Sequence, residues 1–248
     1  MWEPREYRNW IRDKDLVSFT VEVKETDLHI RARRNLRRKA LKSVVRHRSS
    51  LESYIERHPD FLGALSPIPI GSDAPHIVQR MAEAVERVGV GPMAAVAGAI
   101  AECVGADLLA FSREIIVENG GDIFLKSERK RMVGIYAGGS PFTGKVALEI
   151  EPEHTPLGIC TSSGTVGPSL SFGRADAVVV LSPSASLADA AATAVGNLVK
   201  DAEDIPKAIE FAQSIEGLKG VVIIKGDKLG LWGEVKLAPV DIGQEKGA

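Results

Sequence analysis

Cysteine, histidine and net charge are all scarce in this chain, and each scarcity excludes something. Its 248 residues include two cysteines, Cys103 and Cys160, too few and too far apart for a disulfide framework or a CxxC motif. Both stand in apolar surroundings, which favours buried free thiols over a disulfide. The five histidines, His29, His47, His58, His76 and His154, are scattered without metal-ligand spacing, so no zinc site is expected. A formal net charge of −2 argues against a general nucleic-acid-binding surface, and no nucleic-acid partner is expected. No apolar run is read as approaching the ~18 residues that span a bilayer. The N-terminal MWEPREYRNWIRDKD lacks an apolar h-region and a lipoprotein-type cysteine, so the expectation is a cytoplasmic protein without membrane contact.

What is present is the composition of a globular chain, 44% hydrophobic and 26% charged, long enough to bury one large core or two smaller ones. Alternating apolar residues predict strands at Leu16–Val23 and Asp27–Ala32, joined at Lys24–Thr26. Helical periodicity takes over from Arg37 to Ile55, and Phe61–Pro75, with three prolines and two glycines, reads as a loop. A helix is expected from Pro75 to Gly89, and Gly91-Pro92 restarts a small-residue helix to about Gly105. Strands follow at Glu114–Glu118, Ile123–Lys126 and Val133–Ala137, the first two divided by the turn Asn119-Gly120-Gly121-Asp122. The second half repeats the order: strands at Lys145–Ile150, Gly158–Thr161 and Ala177–Leu181, and helices at Ser186–Val199 and Ile205–Ile215. A hairpin of Gly220–Lys225 and Leu229–Leu237 closes the chain. Strands, paired helices, then strands in each half imply an α+β fold of antiparallel sheet with helices on one face.

Three segments can carry chemistry. In Ser186-Leu-Ala-Asp189-Ala-Ala-Ala-Thr193, Asp189 and Thr193 share a helix face and offer two hard oxygens suited to Mg²⁺. Ser186-x-x-Asp189 is also a capping box, and pattern alone favours the cap. Thr161-Ser162-Ser163-Gly164-Thr165 follows a strand and has the small residues of an anion-binding nest, or of an ordinary turn. Asn119-Gly120-Gly121-Asp122 permits close approach of a ligand, or serves as a tight turn alone. Gly139 to Lys145 matches the start of a P-loop, but Val146 replaces the Ser or Thr that such a loop needs, and a strand follows. Nine Lys or Arg residues between Arg31 and Arg48 form either a solvated face or a surface for a phosphorylated ligand.

These segments, in this order, resemble the ApbE superfamily (FAD:protein FMN transferase, ApbE-like), and a mainly archaeal branch of it more closely. The resemblance rests on VGPMAAVAGAIAE, VENGGDI, GICTSSGTVG, SLSFGRADAV and ADAAATAVGN, together with KETDL and an RxxLExYIxxHPxF pattern. It implies two T-fold-like units in one domain over residues 1–248, with lobes of about 10–140 and 141–240. It further implies Mg²⁺ ligands at Asp189 and Thr193. FAD or FMN contacts are implied at Asn119, Gly120, Gly121 and Asp122, and at Thr161, Ser162, Ser163, Gly164 and Thr165. A small nucleotide ligand and a homo-oligomer are implied as partners. The chain departs from the superfamily at Ala97, where ApbE enzymes carry a lysine, and at Pro168, where the branch usually carries a histidine. The function expected is binding of a flavin or other pyrophosphate-containing nucleotide with Mg²⁺. The alternatives are a non-catalytic binding or assembly module, or an enzyme acting on a phosphorylated or pterin-like metabolite.

Overall fold

A computed structural model describes residues 8, 10, 13–166 and 171–240. Eleven strands are found among them: β1 Val17–Val23, β2 Thr26–Ala32, β3 Ile115–Asn119, β4 Asp122–Lys126, β5 Arg131–Gly134, β6 Val146–Ile150, β7 Leu157–Ser162, β8 Ala177–Ser182, β9 Gly220–Lys225, β10 Lys228–Gly233 and β11 Leu237–Pro239. The helices are α1 Arg37–Arg57, α2 Asp60–Gly63, α3 His76–Glu86, α4 Val96–Leu109, α5 Ala185–Leu198 and α6 Ile205–Ser214.

Eight strands form one sheet in the order β1-β2-β3-β4-β7-β8-β9-β10, antiparallel throughout. Its first four strands come from the first half of the chain and its last four from the second, and each quartet has helices inserted between its second and third strands. The β4–β7 pairing, Ile123↔Ile159 to Leu125↔Leu157, joins the halves into a continuous surface.

Side-chain alternation then decides which layer covers which face. Leu28, Ile30 and Ala32 of β2 and Val117 of β3 point to the helices, where they meet Val44, Ile77, Met81 and Val104. Ile116, Leu125, Ile159, Val179 and Val222 point the other way, onto a second sheet in the order β11-β6-β5. With both faces covered, β8 (AVVVLS) is buried along its full length and β9 (GVVIIK) nearly so, which is why they read as unbroken apolar runs.

The second sheet is a departure from the sequence reading. The expected strand Leu229–Leu237 is divided at Gly233, whose φ of 89° turns the chain out of β10 and toward β11 in the other sheet. The strand expected at Val133–Ala137 begins two residues earlier, at Arg131. The loop expected over Phe61–Pro75 begins inside the short helix α2, which buries Phe61. The small-residue helix runs a turn further than expected, to Leu109.

Pro92–Leu109 also corrects the expectation that no segment could cross a bilayer. It is long and apolar enough by length and composition, yet 61% of that stretch is buried inside the fold. Small residues let this helix sit close to its neighbours. A Cβ on Gly98 would come 2.3 Å from the Ala185 carbonyl oxygen, and one on Gly105 would come 2.1 Å from the Phe124 ring. Residues 139–145 form turns leading into strand β6 and open no helix, so the P-loop-like match has no P-loop structure.

Candidate functional site

The candidate site is assembled on the helix-facing side of the large sheet, where its two halves meet. β3 and β4 are linked by Gly120 (φ 68°) and Gly121 (φ 111°), two left-handed residues that close a two-residue hairpin and place Asn119 opposite Asp122. Extending the β4–β7 register brings Asp122 opposite Cys160. Asn119, Asp122 and Cys160 therefore form one cross-strand row beneath the helices.

Two helix starts cover this row, and each is capped by the other helix. Asp189 of α5 accepts a 2.8 Å hydrogen bond from the Gly98 amide in the first turn of α4. Glu102 of α4 accepts from the Ser186 amide (3.0 Å), the Ser186 hydroxyl (2.9 Å) and the Ser184 hydroxyl (3.1 Å) at the start of α5. Exchanged carboxylates thus satisfy amides that helix termini leave open. The capping box expected in Ser186-x-x-Asp189 is not formed: Ser184 caps α5 by accepting from the Leu187 amide. Asn119 Nδ2 completes the frame by donating to the Ala97 carbonyl at 3.1 Å.

The electrostatics of the row are unusual. Asp122 is buried, and its Oδ1 accepts from the Thr161 amide at 3.2 Å. Burial pushes its carboxyl up to about 7 despite that bond. Burial, and then the neighbouring charge of Asp122, push Asp189 well above the ordinary carboxylate range. The Cys160 thiol is raised as well, first by burial and then by both carboxylates, and it donates to the Ala185 carbonyl at 3.3 Å. Cys103, held near 12 by burial, lies apart in the helical core. Both cysteines are free and buried. Among the described residues no Lys or Arg pairs with either Asp122 or Asp189. A pair of carboxylates without a cation favours a shared proton or a bound metal ion over two free charges.

Although enclosed on most sides, Asp189 keeps some solvent contact, as does Thr193 one turn further along the same face of α5. Ser162 Oγ lies against α5 at Gly196. The structure thus brings together Asn119, Asp122 and Asp189 around the start of α4, while Ser162 lies toward the end of α5 and Thr193 one turn beyond Asp189. Thr161 joins through its amide, because alternation along β7 turns its side chain to the opposite face. Ser163, Gly164 and Thr165 are engaged within their own loop. Ser163 Oγ accepts from the amides of Thr165 (3.1 Å) and Val166 (3.0 Å), and the Gly164 amide donates to the Ala175 carbonyl at 2.9 Å. Thr165 Oγ1 reaches Asp176 at 3.3 Å. Gly167 and Pro168 lie outside the described residues. Glu102 is a site residue that the sequence reading misses, although its signal is there: it is the one charged residue in AAVAGAIAECVGA, where a buried acid must have partners.

The molecule has relatives on both levels of comparison. It is 43% identical over 228 residues to a UPF0280 protein of Methanocella arvoryzae, covering 91% of this chain and 92% of that protein. It is 42% identical over 219 residues to one of Methanocaldococcus jannaschii, covering 86% and 89%. Among solved structures it resembles the flavinyl transferase ApbE of Pseudomonas stutzeri, with a TM-score of 0.53 and 12% identity over 93% of this chain and 96% of that one. It likewise resembles the ApbE protein of Thermotoga maritima, with a TM-score of 0.54 and 12% identity over 88% and 97%. At such low identity these structures establish the fold, which is ApbE-like. A family model described as AbpE bacteria matches residues 8–236, and the chain belongs to that family.

Proposed function

We propose that this protein binds a flavin or another pyrophosphate-containing nucleotide together with Mg²⁺ over the Asn119–Asp122–Cys160 row. The observation that supports it is the close pair of carboxylates, Asp122 and Asp189, with no Lys or Arg partner among the described residues. The donor set suits the ion. Asp189 and Thr193 offer hard oxygens from one helix face, and Mg²⁺ characteristically takes one or two carboxylates, keeping water and phosphate for its remaining positions. Bound there, Mg²⁺ would neutralise phosphate charge and polarise a phosphoryl oxygen.

The protein's own residues would do the positioning. Asn119 anchors the first turn of α4 to the sheet, and the α4 amides that hold Asp189 fix its carboxylate before any ligand arrives. Asn119, Gly120, Gly121 and Asp122 on one side, with Thr161, Ser162, Ser163, Gly164 and Thr165 on the other, are the candidate cofactor contacts. In this reading the ligand is a small cytoplasmic nucleotide or phosphorylated metabolite, and the protein acts as a homo-oligomer without membrane contact. Group transfer is a further step: Ala97, where ApbE enzymes carry a lysine, leaves one cationic group fewer for stabilising charge in a phosphoryl-type transition state.

Thermal-shift titration tests the proposal. FAD with Mg²⁺ at about 100 times its Kd should stabilise the wild type by about 2.7 kcal/mol, and Asp189→Ala should lose that gain. Absence of stabilisation at excess FAD, or an equal gain in Asp189→Ala, would sink it. The self-contained loop, with Gly164 packed on Gly173 and Gly173 on Gly196, supports the second reading, a non-catalytic assembly module, which an FAD-insensitive oligomer would select.

A further inference from the structure

A cleft of about 340 Å³ lies between α1 and the start of α3. Its polar lining is Arg46, His47 and Ser50 from α1, His76 from α3, and Asp107 from α4. Asp107 is the single acid in that lining, and its Oδ2 takes three hydrogen bonds. It accepts from Ser43 Oγ at 2.5 Å, from His47 Nε2 at 3.0 Å, and from Arg46 Nη2. Against the cost of burial, these bonds hold the Asp107 carboxyl below its ordinary value, so it stays ionised and orients Arg46 and His47. On the facing wall, Arg80 Nε donates to His76 Nε2 at 3.2 Å. That bond places the proton of a neutral His76 ring on Nδ1, as a donor. Arg80 itself is held by Glu102 at 2.6 Å.

The approach to the cleft is basic. Arg38 and Lys42 precede Arg46 at four-residue intervals, so the three share a face of α1. Among the described residues neither Arg38 nor Lys42 has an acidic partner. The first turn of α3 carries neither a side-chain cap nor an acidic residue. Arg46 on one wall and His76 Nδ1 on the other can therefore donate into the cleft, whereas Ser50 gives its proton to the Arg46 carbonyl at 3.1 Å and His47 Nε2 is turned to Asp107. A volume near the lower end of ligand pockets suits a phosphate with a small attached group better than a dinucleotide.

We propose that the cleft between α1 and α3 binds the phosphate group of a small phosphorylated metabolite, held by Arg46 and His76, with His47 and Ser50 lining the cleft beside it. It uses none of the residues proposed above for nucleotide and Mg²⁺, so either site can fail without the other. The test follows the His47 and His76 ring resonances by NMR, with inorganic phosphate as the probe and sodium chloride at equal ionic strength as the control. Phosphate should shift both rings saturably, and binding should weaken by about tenfold or more in His76→Ala, as loss of a contact requires, and should also weaken in Lys42→Glu, which reverses a charge on the approach. Asp189→Ala should bind phosphate as the wild type does. A response no larger than that to chloride, or unchanged affinity in His76→Ala, would overturn the proposal. So would a response that disappears in Asp189→Ala, because phosphate would then occupy the other site.

Discussion

Raising the pH from about 4 to about 7 should destabilise the metal-free protein, and Asp122→Asn should remove most of that loss. The Asp122 carboxyl stands near 7 in the folded chain, first because of burial, against an ordinary unfolded value near 4. Between those values the native state binds more protons than the unfolded state, so stability falls as pH rises through the window and levels off above it. Asp122 and Asp189 titrate as a pair, so the window belongs to both. The expected loss is on the order of a few kcal/mol, since each tenfold difference in proton affinity between the two states is worth about 1.4 kcal/mol. The side-chain amide introduced by Asp122→Asn would keep an oxygen for the Thr161 N–H and add an N–H₂ beside Asp189. The variant should therefore match the wild type near pH 4 and exceed it at pH 8. Urea denaturation across pH 4–8 measures this, and parallel curves for the two proteins would contradict it. Saturating Mg²⁺ should flatten the wild-type curve by replacing the shared proton.

On the other face of the sheet, Arg131→Met should cost about 3–5 kcal/mol, as expected when one partner of a buried ion network is removed. Arg131 is 4% exposed, and its guanidinium meets Asp13 (2.9 Å), Asp15 (2.8 Å) and Glu114 (2.7 Å), while Nε donates to Ser127 at 2.8 Å. It lies on β5 of the small sheet, and its partners lie before β1 and β3 of the large one, so the network ties the two sheets together. Its pH dependence runs opposite to that of Asp122. Hydrogen bonds from Ser127 and Arg131 hold Glu114 near 2 against the effect of burial, and the Arg131 hydrogen bond holds Asp15 near 2. The stability these carboxylates confer is present above their ordinary values near 4 and is lost as pH falls toward 2. The penalty of Arg131→Met should accordingly be full at pH 6 and shrink toward pH 2. A constant penalty would show that packing, not charge, carries the effect.

Much of the architecture is legible in the sequence because its causes are local. Alternation in VSFTVEV and the Asn119-Gly120-Gly121-Asp122 turn fix hairpins through neighbouring residues, and β9 has the bounds its apolar run predicts. The small-residue helix is legible as a buried one. The split at Gly233 is not, because a glycine at positive φ reads in sequence like any glycine in a strand, and the second sheet pairs segments as distant as Leu148 and Leu237. The candidate site divides in the same way. Asp189 stands out by its spacing to Thr193, but the helix it caps lies 91 residues away in the chain. Cys160 reads as a buried thiol, and its place in the row with Asn119 and Asp122 comes only with the β4–β7 register. Asp107 carries no local signal, because its partners Ser43, Arg46 and His47 lie at least 60 residues away.

The claim on which the account turns is that the carboxylate pair over the Asn119–Asp122–Cys160 row is a place for a cation beside a pyrophosphate. Crystals grown with FAD and Mn²⁺, a scattering substitute for Mg²⁺, would test it through anomalous diffraction. The account predicts one strong peak within roughly 2.2 Å of an Asp189 oxygen, close to the spacing of a directly bound hard cation, with Thr193 and the FAD pyrophosphate beside it. FAD bound without metal at Asp189, or metal bound only elsewhere, would contradict it.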